Sequence, residues 1–142
     1  MATNILQMNR GDTFQFDFNI NNELSENGYY VLQGNDALYF GVMDPNQMFE
    51  DALVKKKYTA SNIHAGDATG TITIRLEPED TIDLLPGRYY YMIKLKMDHY
   101  VASDEGDAIH VESVTTIINK TKFFIYFRFK FCSTFLSLQG SM

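Results

Sequence analysis

Residues 9–20 read NRGDTFQFDFNI. From Thr13 the alternation is unbroken: Phe14, Phe16, Phe18 and Ile20 fall on one side, Thr13, Gln15, Asp17 and Asn19 on the other. A period of two sends successive side chains to opposite faces of a strand, so the stretch predicts a strand with one face in a core and one in water. The residues before it are its entry. Gly11 can take the positive φ of a tight turn, and Asp12 can close that turn through its own backbone. Arg10-Gly11-Asp12 is also the tripeptide that adhesion ligands present to integrins. Such ligands carry it at the tip of a protruding loop, whereas here it abuts a core strand. It reads as the structural turn that sets the register of the first long strand.

Working outward, the same period recurs. Residues 3–9 read as a short strand and 37–44 as a central strand, apolar on both sides. Residues 52–59 carry three lysines, as suits an exposed edge strand. In 71–76, Ile72, Ile74 and Leu76 point inward; in 88–97, Tyr89, Tyr91, Ile93, Leu95 and Met97 do. Residues 108–119 are rich in β-branched residues and read as one further strand. Polar or Gly-containing stretches at 21–28, 60–70 and 98–107 read as loops, the last as a hairpin with an acidic tip. Residues 29–36 fit either a short strand or an ordered loop. Single helical turns are expected within 45–51 and 77–87. No segment carries a sustained 3.6-residue stripe. The expectation is an all-β, antiparallel immunoglobulin-like sandwich of seven to nine strands over residues 1–125. In such sandwiches a Tyr hydroxyl ties the corner before the sixth strand, and Leu85-Pro86-Gly87-Arg88-Tyr89 has that form, with Tyr89 or Tyr91 as the tie.

Composition bounds the class. With 142 residues the chain suggests one domain, and 11 Phe and 9 Tyr without Trp favour strands. A net charge of −6 repels phosphate backbones, which argues against nucleic acid as a partner. The single Cys132 cannot form an internal disulfide, and it reads as a small apolar residue of a protein assembled in a reducing cytoplasm. The N-terminus lacks the basic start and apolar run of a signal peptide.

Chemistry is hard to find. His64, His99 and His110 are not spaced as a ligand pair; two fall in expected loops and one in a strand. The acidic residues Asp104, Glu105 and Asp107 read as a solvated hairpin tip, and those of 77–80 as carboxylates at the start of a helical turn. No nucleophile elbow, zinc motif or phosphate loop occurs. The residues thus nominate no catalytic, cofactor-binding or metal site. Tyr29, Tyr30, Tyr39, Tyr90 and Tyr100 could serve as platforms for a glycan, a ring stacking on the apolar face of a sugar.

The end of the chain, 126–142, reads as an apolar extension. It is too short for an ordinary membrane span and carries Arg128 and Lys130, so no membrane span is expected. Phe127, Phe129, Phe131, Phe135 and Leu136 are the candidates for an assembly interface, since an exposed apolar strand seeks a partner. The alternatives are a core strand folding back within the subunit, or a cloning or read-through remnant ending in the artificial-looking Gly-Ser-Met.

Two blocks together carry a family resemblance. Residues 8–16, MNRGDTFQF, and 76–95, LEPEDTIDLLPGRYYYMIKL, resemble the immunoglobulin-like domain of phage baseplate upper proteins and related small virion proteins of phages that infect Gram-positive bacteria. The resemblance spans about residues 4–125 and rests on structural turns: Arg10, Gly11 and Asp12 in the first block, Pro86, Gly87 and Tyr89 in the second. It implies a non-enzymatic virion protein of baseplate, tail, neck or head, assembled in the host bacterial cytoplasm, whose partners are other virion proteins and copies of itself. No receptor-binding head follows the domain here, which points to a small accessory or decoration subunit, and the apolar extension lies outside the family pattern.

Overall fold

The computed structural model describes residues 5–103, 106–113 and 116–126. In chain order the strands are β1 (Leu6–Asn9), β2 (Phe14–Phe18), β3 (Ile20–Asn21), β4 (Tyr29–Tyr30), β5 (Ala37–Met43), β6 (Val54–Thr59) and β7 (Ile72–Leu76). After the single helical turn α1 (Pro78–Thr81) come β8 (Gly87–Lys96), β9 (Asp98–Val101), β10 (Ile109–Glu112) and β11 (Thr116–Tyr126). The molecule is all-β, with short helical turns at 49–51, 60–62 and α1.

Five strands form the main sheet in the order β1-β11-β8-β5-β6. Every neighbour pair is antiparallel except β1 and β11, which run parallel with Leu6 opposite Phe123 and Met8 opposite Ile125. β5 and β8 are central. β5, ALYFGVM, is buried at six of its seven positions, and β8, GRYYYMIKLK, at five of ten, with Tyr89, Tyr91, Ile93 and Leu95 turned to the core. β6 is an edge.

The antiparallel pair β2–β7 packs on one face of this sheet. Phe14 meets Phe123 at 5.8 Å between ring centroids, and Phe16 meets Phe40 at 5.9 Å and Tyr91 at 6.3 Å. From the β7 side Ile72, Ile74 and Leu76 are fully buried, joining Leu38, Phe40, Val42, Ile93 and Ile125 in one core. The alternation of 13–20 is therefore realised, with one difference. β2 stops at Phe18, and the chain turns at Asn19, whose amide donates to Thr69 O at 3.2 Å and Thr71 Oγ1 at 2.8 Å. Ile20 keeps its inward face but pairs with Tyr30 in a separate two-residue ladder.

Two further expectations are corrected. Residues 98–101 are not loop but strand β9, paired with β10 as Asp98–Glu112 and Val101–Ile109. The single strand expected over 108–119 is two: β10 belongs to this ribbon and β11 to the main sheet. The ribbon hinges where Met97 N–H donates to Ser113 Oγ and Ser113 N–H to Met97 O, each at 3.1 Å. These divisions raise the strand count among the described residues to eleven, above the expected seven to nine. Among the described residues no helix is long and apolar enough to cross a membrane.

Candidate functional site

The first nominated residues form a clasp. Gly11 has φ +79°, and Asp12 N–H closes the turn onto Asn9 O at 3.2 Å. Gly11 N–H donates to Thr81 Oγ1 at 2.9 Å, from a threonine that α1 holds fully buried. Arg10 N–H donates to Tyr126 O at 2.7 Å, and its guanidinium reaches Leu84 O at 3.5 Å. The approach is close: a Cβ on Gly11 would stand 2.8 Å from Ile82 Cδ1. Arg10, Gly11 and Asp12 are half-buried and held against the loop that leads into β8, so they form a structural turn and not a projecting tip.

That loop is itself tied. Glu77 N–H donates to Asp80 Oδ2 at 2.7 Å, closing a capping box at the start of α1 where Pro78 can sit without losing a needed N–H. Asp80 also pairs with Lys56 at 2.8 Å. After Pro86 and Gly87, Tyr89 turns its hydroxyl back and donates it to Leu85 O at 2.5 Å. Tyr89, one of the two tyrosines expected at this corner, thus bonds to the loop, while the Tyr91 ring packs in the core. The phenol is held above its ordinary pKa by burial, then by the Asp44 charge.

A second cluster went unread in the sequence. Asp36 is fully buried just before β5. Its carboxylate accepts the Tyr30 hydroxyl, Gln33 N–H at 3.0 Å and Asp98 N–H at 2.6 Å, and lies 2.8 Å from His99 Nδ1. Burial pushes the Asp36 pKa up, but the bonds from Tyr30, Asp98, His99 and Gln33 outweigh it and hold the group below its ordinary value. The Tyr30 hydroxyl is pushed well up by burial, by its bond to Asp36 and by that group's charge. The arrangement pins the loop before β5 to the start of β9. Its chemistry is that of a structural staple: a carboxylate given four donors is satisfied and held, not poised to react. His99, read as a loop residue, is instead buried in β9.

On the outer side of the β9–β10 ribbon His110 Nε2 lies 2.7 Å from Asp98 Oδ1 and stacks on Tyr100 at 4.6 Å between centroids. Glu112 brings a third potential ligand atom, all within 4.8 Å of one another. Residues i and i+2 of one strand and the cross-strand partner necessarily share a face, which is how the three meet. His64 is exposed in its loop. At the acidic tip Ser103 Oγ donates to Asp107 O at 2.5 Å, while Asp104 and Glu105 lie outside the described residues. Outside them too lie Cys132 and the interface candidates Phe127, Phe129, Phe131, Phe135 and Leu136.

The glycan candidates scatter. Tyr29 and Tyr30 lie in β4, Tyr100 on the ribbon, and Tyr39 and Tyr90 on the outer face of the main sheet. Neither Tyr39 nor Tyr90 spends its hydroxyl on a described residue; Lys57 stands 6.0 Å from the Tyr39 ring centre, and Arg88 and Lys120 stand 6.0 and 5.8 Å from that of Tyr90.

Fold and clusters together define an all-β domain whose loops are fastened by side-chain staples. Comparison with protein-family models and with curated proteins finds no match.

Proposed function

We propose that this chain is a non-enzymatic structural subunit of a tailed-phage particle, built on an immunoglobulin-like sandwich and acting through contacts with other virion proteins and with copies of itself. The observation that carries the reading is the clasp. The two blocks on which the resemblance rests, 8–16 and 76–95, lie about 70 residues apart and are in direct contact through Gly11 and Thr81. Turn residues that hold one another are what a shared structural fingerprint consists of.

The strand succession supports the fold. An immunoglobulin-like sandwich sets the C, F and G strands in one sheet, with C′ added beside C in the variable type, against a sheet containing B and E. Here β11-β8-β5-β6 follow the order G-F-C-C′, and β2 and β7 pair as B and E do. The Tyr89 tie sits at the start of β8, where the corner tyrosine of strand F belongs. No nucleophile and base stand together among the described residues, and Asp36 and His99 are enclosed by their own staple.

In this reading the apolar segment after Tyr126 is the docking element that adds to a neighbour. A chain ending at Tyr126 keeps the whole of β11. It should remain folded and lose assembly, measured by sedimentation beside the full chain. A truncated chain that assembles as the full one does would remove the docking role.

A second reading is a module that binds a glycan of the bacterial surface. It is favoured by Tyr39 and Tyr90, which lie half-buried on the outer face of the main sheet with hydroxyls uncommitted to described residues. Retention on a cell-wall polysaccharide column, lost in Tyr90→Ala, would support it; a wild-type chain that passes straight through would not.

A further inference from the structure

The strands of the main sheet project charge of one sign on their outer face, on which the turn 49–51, with Glu50 and Asp51, packs through Phe49. None of the chain's 18 Asp and Glu residues falls in β1, β5, β6, β8 or β11. Seven cations project from the side away from the core: Lys55 and Lys57 on β6, Arg88, Lys94 and Lys96 on β8, Lys120 and Lys122 on β11. The register places them together: Lys57, Tyr39 and Lys94 form one row across three strands, Met92 and Lys120 are opposite one another, and so are Tyr90 and Lys122. The ion pairs Lys56–Asp80 and Arg75–Glu77 lie off this face. None of the seven has a carboxylate within 4.0 Å among the described residues. Their close partners are a carbonyl and rings: Lys55 donates to Glu50 O at 2.6 Å, Lys94 lies 4.5 Å from the centre of Phe49, and Arg88 and Lys120 flank Tyr90. At one end the face deepens into a cleft of about 510 Å³, where Tyr39, Lys57 and Lys96 meet beside Asp98. That volume is within the usual range for ligand sites.

We infer that this face binds an anionic polysaccharide, its acid groups on the lysines and its sugar hydroxyls on Tyr39 and Tyr90. The inference deepens the second reading above and rests on it. Three features select the ligand. Seven cations without acidic partners among the described residues, on a chain of net charge −6, form a local field that the total conceals, and a polyanion is its complement. Six of the seven are lysine, the residue depleted from protein–protein interfaces, which disfavours a second copy as occupant. Cations already lie against the rings of Phe49 and Tyr90, so the face offers phenol hydroxyls more than bare rings. Hydroxyls serve a sugar, whereas open rings would serve the bases of a nucleic acid.

The test uses the full chain and four probes: polygalacturonate, neutral dextran, inorganic polyphosphate and an oligodeoxythymidylate. Polygalacturonate should bind, and its affinity should fall at least about tenfold between about 50 and about 500 mM salt. The pair Lys120→Glu and Lys122→Glu, both at exposed strand positions, should lower it about tenfold or more. Tyr90→Phe, which keeps the ring, should lower polygalacturonate binding about three- to tenfold and leave polyphosphate binding unchanged. Lys94→Gln with Lys96→Gln gives the same charge test at a second place, should the first pair unfold. No binding of polygalacturonate, or binding indifferent to both lysine pairs, overturns the inference. So does equal binding of polyphosphate with no effect of Tyr90→Phe, which is charge attraction alone, and so does tighter binding of the oligonucleotide. Dextran binding that ignores the lysines would keep a glycan-binding function and remove this face from it.

Discussion

At the scale of the residue, a few buried polar side chains join segments distant in sequence and add to the stability that the apolar core supplies. Asp36 is the clearest. Replacing it by Ala would leave the Gln33 and Asp98 N–H groups and the Tyr30 hydroxyl without their acceptor in a fully buried place. Each stranded donor costs about 1–3 kcal/mol, so a loss of about 3–5 kcal/mol is expected in urea unfolding. The pH dependence has a definite sign. The folded Asp36 is held below its ordinary value, so its contribution is present above about pH 4 and disappears as pH falls through the folded pKa. Tyr30 is raised, so its contribution is complete below the ordinary phenol value of 10.0 and is lost above it, as the unfolded chain ionises first. Tyr30→Phe should therefore flatten the alkaline arm of a stability–pH curve. The clasp makes a smaller demand. Thr81→Val should cost about 1–2 kcal/mol by removing the acceptor of Gly11 N–H, and Gly11→Ala should cost more through its positive φ and the contact with Ile82. The turn at 10–12 could be read from Gly11 alone, because only the backbone rule was needed. The Asp36 staple could not: its donors lie on β4, on the loop after it and on β9, whose approach depends on the finished fold, and His99 is 63 residues away.

At the scale of the element, alternation was a sound guide wherever a strand has one face in the core. β7 and β2 fall within the strands expected over 71–76 and 13–20, with the expected faces inward, though β2 ends at Phe18. It failed where strand identity depends on the partner. Asp98-His99-Tyr100-Val101 has too little apolar pattern to announce a strand, and becomes one by pairing with 109–112. Nothing in 108–119 is a breaker, so a run shared by two sheets read as one. The difference should be visible in hydrogen exchange. β5 and β8 are paired on both sides and should exchange last, whereas the β9–β10 ribbon, with Tyr100, Val101 and Ile109 exposed, should exchange well before them. Equal protection of ribbon and central strands would mean that the ribbon is part of the main cooperative unit. The corner gives a further check: Tyr89→Phe should cost about 1 kcal/mol by removing the bond to Leu85 O while the core packing stays.

At the scale of the molecule, charge is segregated. A sum of −6 describes neither side: the charges that the main sheet's strands turn outward are all cationic, and all 18 acidic residues lie outside those strands. The total, from which the expectation that the surface repels phosphate backbones is drawn, averages over faces that the topology separates. The alternating lysines of 94–96, 120–122 and 55–57 were legible, but their meeting on one side depends on the order β11-β8-β5-β6. The role proposed for this domain is that of a building block of a phage particle. It is tested most directly by banding tailed-phage particles from cells that express a tagged copy of the full chain in a density gradient and measuring the tag by quantitative mass spectrometry. The account predicts tag in the particle band at a fixed ratio to the other virion proteins, a ratio that persists through a second gradient. A chain found only among free proteins at the top of the gradient would contradict it.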